Sequence, residues 1–246
     1  MINILNRRRI LTSGVTPSIN LKTNLISCWE FNETSGVISN DAHSTNNGTI
    51  VGATINQTGK LDKAYSYDGV GDYINYGNVI NLERTGSFSI SNWSKRSTLI
   101  ANATILSKME GSNNFRGYML RLNNGYPTVT LRNDNSPSNF TDVSFQSVLP
   151  LNVWNHTLIT YNGNSNSSGI KCYVNNVEIT SKVISGDTLT GTILNNEPLN
   201  IGTLNNGSFY DMNGLIDQTA IWNKILTVSE ISELYNSGVG LAYSVW

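Results

Sequence analysis

Charge is what this sequence has least of. Only 13% of its 246 residues are charged, and 16 Lys and Arg against 17 Asp and Glu leave a formal net charge of -1. A chain so balanced carries no field to concentrate a phosphate backbone or an anionic lipid surface, so neither nucleic acid nor membrane is expected as a partner. Histidine is nearly absent: His43 lies in an Asn-rich loop, His156 in an apolar alternation, and neither sits in a G-x-S-x-G or H-E-x-x-H setting. His156 therefore reads as a packed, hydrogen-bonded histidine and His43 as a surface residue. The two cysteines, Cys28 and Cys172, are not expected to pair. In LISCW the large residues place Trp29 on the face opposite Cys28, and Cys172 shares the apolar face of IKCYV, so both cannot enter one space between sheets. No apolar run is long enough to span a membrane. The residues after Arg7-Arg8-Arg9 are too polar for a signal-peptide core, so no signal peptide is expected.

What replaces charge is asparagine, at 36 positions, with 21 glycines. Asn tolerates left-handed backbone and hydrogen-bonds its own chain, so it suits tight turns. Asn123-Asn124-Gly125, between MLRL and YPTVTLR, is the clearest hairpin signal. Further turns are expected at Asn46-Asn47-Gly48, Val70-Gly71-Asp72, Asn175-Asn176 and Asn205-Asn206-Gly207. Short strands separated by such turns, with no repeat period, point to one all-β sandwich of this length. Residues 1–20, with three arginines and isolated apolar pairs, read as an arm ahead of a domain at 21–246, or as a first edge strand.

The most complete signal is LNIGTLNNGSFYDMNGLIDQTAIWNKILTVSEISELYNSG, residues 199–238. Neither alternate face of GLIDQTAIW is uniformly polar, so this strand is expected to be buried on both sides. Thr227, three residues before Glu230, forms a capping-box pattern that starts a helix over 227–237. Val228, Ile231, Leu234 and Tyr235 fall on one helical face, and Gly238 supplies a left-handed exit.

This stretch resembles the carboxyl end of laminin G-like, concanavalin A-like jelly-roll domains. The resemblance continues upstream through LISCWEFNETSG, DAHSTNNGTI, AYSYDGVGDYINYG, FSISNWSKR and LNVWNHTLITYNG with IKCYVNNVEI, in the family's order. It implies a two-sheet antiparallel jelly roll with one short carboxyl-terminal helix, in which Trp29, Trp93, Trp154 and Trp222 fill the core. It further implies a calcium ion, for which Asp41, Asn46 and Asn47 offer oxygen donors in one loop, with Asp217 and Asn32 nearby. Asn32 stands where an acid is common, which lowers the charge of that site.

Glucanases of this architecture carry E-x-D-x-x-E on one strand, and no such triplet occurs here. The expected function is thus non-catalytic recognition or adhesion, with a host-surface or other glycan as partner. Aromatic residues near turns are the candidate platforms, and among Phe115, Tyr126, Phe140, Phe209 and Tyr210 the choice falls on Tyr126 and Tyr210. An uncharged polar surface and a short basic arm look like a bacteriophage virion protein, a decoration, fibre or tail component joined to a larger assembly through residues 1–20. A bacterial surface or secreted adhesin is the alternative, and a jelly-roll glycoside hydrolase the third reading.

Overall fold

The computed structural model describes residues 19–112, 114–135 and 138–246. The arm lies outside the described residues except for Ile19 and Asn20, and Ile19 packs against the domain. Seventeen strands occur among the described residues. In chain order they are β1 Leu25–Trp29, β2 Ile38–Ser39, β3 Gly48–Val51, β4 Thr54–Thr58, β5 Lys63–Asp68 and β6 Tyr73–Asn75. Next come β7 Phe88–Arg96, β8 Asn102–Met109, β9 Gly117–Asn123, β10 Tyr126–Asn135, β11 Ser138–Phe145 and β12 Asn155–Tyr161. The last are β13 Ile170–Val174, β14 Val177–Glu178, β15 Lys182–Asp187, β16 Asn200–Ile201 and β17 Asn213–Trp222. The helix α1, Val228–Tyr235, follows β17.

Two antiparallel sheets form the sandwich. The first runs β14-β13-β12-β7-β17-β5-β4, and the second β15-β11-β10-β9-β8-β16-β6-β3-β2. β1 joins the first sheet by pairing with Thr219–Trp222 at one end of β17, while β5 pairs with Asn213–Ile216 at the other. The edge passes from one partner to the other at Asp217-Gln218, where the register with β7 shifts and Gln218 takes φ 34°. Asp217 accepts hydrogen bonds there from the backbone N–H groups of Lys60 and Leu61, fixing the turn that leads into β5. Asn124-Gly125 and Asn175-Asn176 each turn a hairpin with both residues at positive φ, the two-residue geometry that matches strand twist.

Apolar burial is split between two layers. Between the sheets, Trp29, Phe88, Ile90, Tyr161 and Cys172 meet Ile105, Leu120, Leu122, Val129, Leu131 and Val143. On the outer side of the first sheet, Cys28, Leu158, Tyr173, Ala220 and Trp222 pack against Leu226, Ile231 and Leu234 of the helical segment. β17 thus buries both faces, and the cysteines, both free, lie on opposite sides of the sheet. Thr227 and Glu230 close the expected capping box.

This third layer corrects several expectations. Trp222 is buried as expected, in the layer under the helix, with Trp246 stacked on it at 5.5 Å. Trp93 is also buried on that side, stacked on Tyr235 at 5.9 Å. Trp154 is not core at all: it precedes β12, is half-buried, and lies beneath the Lys95 ammonium at 5.4 Å. Val228 is exposed, and the left-handed exit begins at Asn236, ahead of Gly238. His156 is buried, with Nε2 2.7 Å from Ser91 Oγ and its ring against Trp93. Burial drives its pKa down to about 3. His43 is half-buried, its Nδ1 3.1 Å from Tyr243 Oη.

Candidate ligand-binding site

The outer face of the second sheet is built by simple alternation. In β9, Tyr118, Leu120 and Leu122 enter the core, which turns Met119 and Arg121 outward. In β10, Val129 and Leu131 point inward and Thr128, Thr130 and Arg132 outward; in β11, Val143 and Phe145 alternate with Asp142 and Ser144. The register sets Met119, Thr130 and Asp142 abreast on three adjacent strands.

Two of these form a connected polar group. Arg121 Nη2 lies 3.2 Å from Asp142 Oδ2, Arg121 Nη1 donates to Thr130 Oγ1, and Thr130 Oγ1 donates to Asp142 Oδ2 at 2.6 Å. Asn102 Oδ1 accepts from Arg121 Nε at 3.0 Å. Beside them Met109, Met119 and Leu204 form a small apolar floor, with Phe115 packed against it. The resulting cleft, about 220 Å³, is completed by Arg132 and Tyr210. The Arg132 guanidinium stacks 4.3 Å from the Phe140 ring, and burial holds its pKa below the usual arginine value.

The loop between β16 and β17 carries the rim. Thr104 N–H donates to the Tyr210 carbonyl at 2.7 Å, Ser107 Oγ to the Thr203 carbonyl at 2.8 Å, and Thr203 Oγ1 to Asp211 Oδ1 at 2.6 Å. Tyr210 is held at φ 58° and Phe115 at φ 52°, a backbone region costly for aromatic residues and one where functional sites concentrate strain. Tyr210 remains 43% exposed.

Of the aromatic candidates, Phe115 and Tyr210 line this cleft, and Tyr210 is one of the two that were chosen. Tyr126 lies on the same face of β10 but at its start, four residues before Thr130, or roughly 13 Å along the strand, and it is not part of the lining. Arg121, Arg132, Asp142, Met109, Met119 and Leu204 were not foreseen. The signal for three of them was the inward alternation of MLRL and VTLR, which leaves Met119, Arg121 and Arg132 together once the hairpin register is fixed.

The five candidate calcium ligands fall into two groups, with no hydrogen bond joining them among the described residues. Asp41 Oδ1 accepts from the N–H groups of Cys28, His43 and Ser44, and Asn47 Oδ1 accepts from Asp41 N–H at 2.8 Å. In the same loop Asn46 donates to Ser27 Oγ at 2.8 Å, and its carbonyl accepts from Trp29 Nε1. The second group borders the turn before β5: Asn32 Oδ1 accepts from Lys63 N–H at 3.1 Å, and Asp217 holds Lys60 and Leu61. In each group one buried carboxylate oxygen, Asp41 Oδ2 or Asp217 Oδ1, has no hydrogen-bond partner among the described residues. Burial pushes the Asp217 pKa up to about 7, against its backbone hydrogen bonds and with a small contribution from Glu30. The donors are hard oxygens of the kind a calcium ion takes, but each group offers one open carboxylate oxygen, and every other oxygen named here except the Asn46 amide is already engaged.

A family model described as the concanavalin A-like lectin/glucanases superfamily, laminin G group, matches residues 68–232, more than half of the sequence. The chain belongs to this family. The matched span holds every residue of the cleft and most of both sheets. No curated protein matches the sequence. Among solved structures, the binding domain of Paraclostridial mosquitocidal protein 1 is similar at 20% identity and TM-score 0.65, over 88% of this chain and 53% of that one. Domain 4 of AbnA, a GH43 extracellular arabinanase from Geobacillus stearothermophilus solved with arabinotriose, is similar at 21% identity and TM-score 0.63, over 89% and 98%. A botulinum neurotoxin type C structure, described as needing two ganglioside molecules for cell entry, gives 17% identity and TM-score 0.62, over 89% and 52%. This chain spans about half the length of the two toxin chains. At these identities the likeness is one of fold.

Proposed function

We propose that this domain is a non-catalytic carbohydrate-recognition module that takes its ligand in the cleft beneath Tyr210. The observation that carries the reading is the make-up of that cleft: an apolar floor, a half-exposed aromatic at the rim, and an Arg121–Thr130–Asp142 group held rigid on three strands. A sugar ring offers apolar C–H faces for the first two and hydroxyls for the third. A glycosidase needs two carboxyl groups across the scissile bond, whereas the cleft lining holds one, Asp142, committed to Arg121 and Thr130. The arabinotriose and gangliosides of the two structural neighbours support a sugar as ligand.

The setting belongs to the same proposal. A surface built on Asn, Ser, Thr and Gly instead of charge supports display on a bacteriophage virion, with residues 1–20 as the anchor. The presence of toxin binding domains among the neighbours favours, as the second reading, an adhesin that meets a cell surface. Calcium binding at the Asp41 loop is a further, separable part, supported by the buried Asp41 Oδ2, which has no hydrogen-bond partner among the described residues. A glycan array probed with the whole chain tests the core of the proposal. Selective retention on a group of related glycans, without their cleavage, is the expected result; uniform absence of binding, or release of shortened sugars, would overturn it.

A further inference from the structure

We infer that the sugar taken in this cleft carries an acetamido group, with its methyl seated on Met109, Met119 and Leu204 and its N–H donated to Asp142. The inference rests on the carbohydrate-recognition reading above and narrows it to a ligand class, the N-acetylated amino sugars.

The floor supplies the apolar half of the match. Met109, Met119 and Leu204 are each no more than 5% exposed, with Phe115 packed on their flank, yet all four line the cleft. What they offer a ligand is a small recessed apolar surface, closer in extent to a methyl group than to the face of a pyranose. Tyr210, 43% exposed at the rim, is the side chain with area enough to lie against a ring. The floor is also fixed before anything binds. Thr104 Oγ1 donates to the Met119 sulfur at 3.9 Å, and Ser107 Oγ donates to the Leu204 carbonyl at 2.9 Å. A rigid apolar seat favours an apolar group and penalises a hydroxyl, whose oxygen would lose water against thioether and aliphatic carbon without gaining a partner.

The polar half stands at the edge of that floor. Strand register sets Asp142 two strands from Met119 with Thr130 between them, all three on the outer face. Asp142 accepts from Arg121 and Thr130 through Oδ2, and its Oδ1 holds no hydrogen bond among the described residues although the side chain is only 11% exposed. An acceptor so withdrawn from water is satisfied by a ligand N–H. Arg121 spends three of its five N–H groups on Asn102, Thr130 and Asp142, which leaves two for a ligand carbonyl. Methyl, N–H and carbonyl in one small planar group make an acetamide. A hydroxyl lacks the methyl, and a free amine brings its N–H with a charge that the apolar floor disfavours.

The test uses the whole chain and matched oligosaccharides ending in N-acetylglucosamine or N-acetylgalactosamine, in the corresponding free amines, and in glucose or galactose. Affinities are measured by calorimetry. The acetylated probe of at least one configuration should bind at least about tenfold more tightly than its amine and its hydroxyl counterparts, the scale on which a filled apolar seat and a paired polar group discriminate. Nuclear magnetic resonance then locates the contact. With methyl-labelled methionine, an intermolecular Overhauser effect should link the acetamido methyl to Met109 and Met119 among the four methionines of the chain. Met119→Thr should lower the affinity for the acetylated probe more than that for the hydroxyl probe; if that variant does not fold, the probe series and the methyl contact on the wild type decide. Equal binding of the acetylated and hydroxyl probes, or of the acetylated and amine probes, would overturn the acetamido inference and leave carbohydrate recognition standing. Tight binding with the acetamido methyl remote from both methionines would do the same, as would failure of every probe beside retention of other glycans on the array. No binding by any glycan, in solution or on the array, would overturn both.

Discussion

Trp93 is sealed beneath the carboxyl-terminal helix, 1% exposed, with Tyr235 stacked on it and His156 tilted against it, whereas Trp154 lies half-buried under a lysine. Removal of Trp93 leaves a cavity in a packed layer, so Trp93→Ala should cost about 3–5 kcal/mol in denaturant titration. Trp154→Ala should cost about 1 kcal/mol or less, the scale of an exposed cation–π contact. The reverse ranking would mean that the outer layer of the first sheet is not packed as described. Asp217 gives a pH test. Its folded pKa, about 7, exceeds the ordinary 3.8, so its share of stability is full below about pH 4 and is lost as pH rises towards 7. His156 has the opposite sign, its folded pKa near 3 costing stability as pH falls below about 6.5. Both proteins in a comparison of wild type with Asp217→Asn carry His156, so its contribution cancels. In chelator, the melting temperature of Asp217→Asn should gain on wild type between about pH 4 and pH 7. Should calcium bind at Asp217, adding it at pH 7 should reverse that gain, since an ion held only by the folded state raises its stability. A pH-independent difference in chelator would contradict the burial of Asp217.

At the level of elements, the helix is where sequence and structure agree most closely, and the reason is local. Thr227 and Glu230 satisfy each other's backbone N–H groups within four residues, so the pattern needs no knowledge of the rest of the fold. Thr227→Ala should therefore destabilise by about 1 kcal/mol, read as a lowered denaturant midpoint at constant slope. The same locality explains the legible hairpins at Asn124-Gly125 and Asn175-Asn176. Where the reading failed, the missing information was non-local. Alternation says which residues share a face but not what covers it, and the first sheet is covered on both sides, so the burial of Trp93 and Trp222 was legible but the layer they fill was not. Trp154 was drawn into the core with His156 and Leu158 of β12, although it precedes that strand by one residue.

For the whole molecule, a jelly-roll sandwich was legible because the chain repeats family segments in order from the first strand to the helix. The binding cleft was only partly so. Tyr210 stood out as an aromatic beside a turn, but Arg121, Arg132 and Asp142 come from three strands whose register no single segment reveals. Those residues share one face of one sheet, under a loop pinned by Thr104 and Ser107, and the claim that this face holds a sugar is the centre of the account. The most direct measurement is the affinity of wild type and Tyr210→Ala for the best glycan from the array, with melting curves recorded on both. Tyr210 is exposed at the rim, so its removal should weaken binding at least tenfold and leave the melting temperature within a degree or so, the size of a surface change. Undiminished binding by a folded Tyr210→Ala would contradict the account and move the ligand to another face.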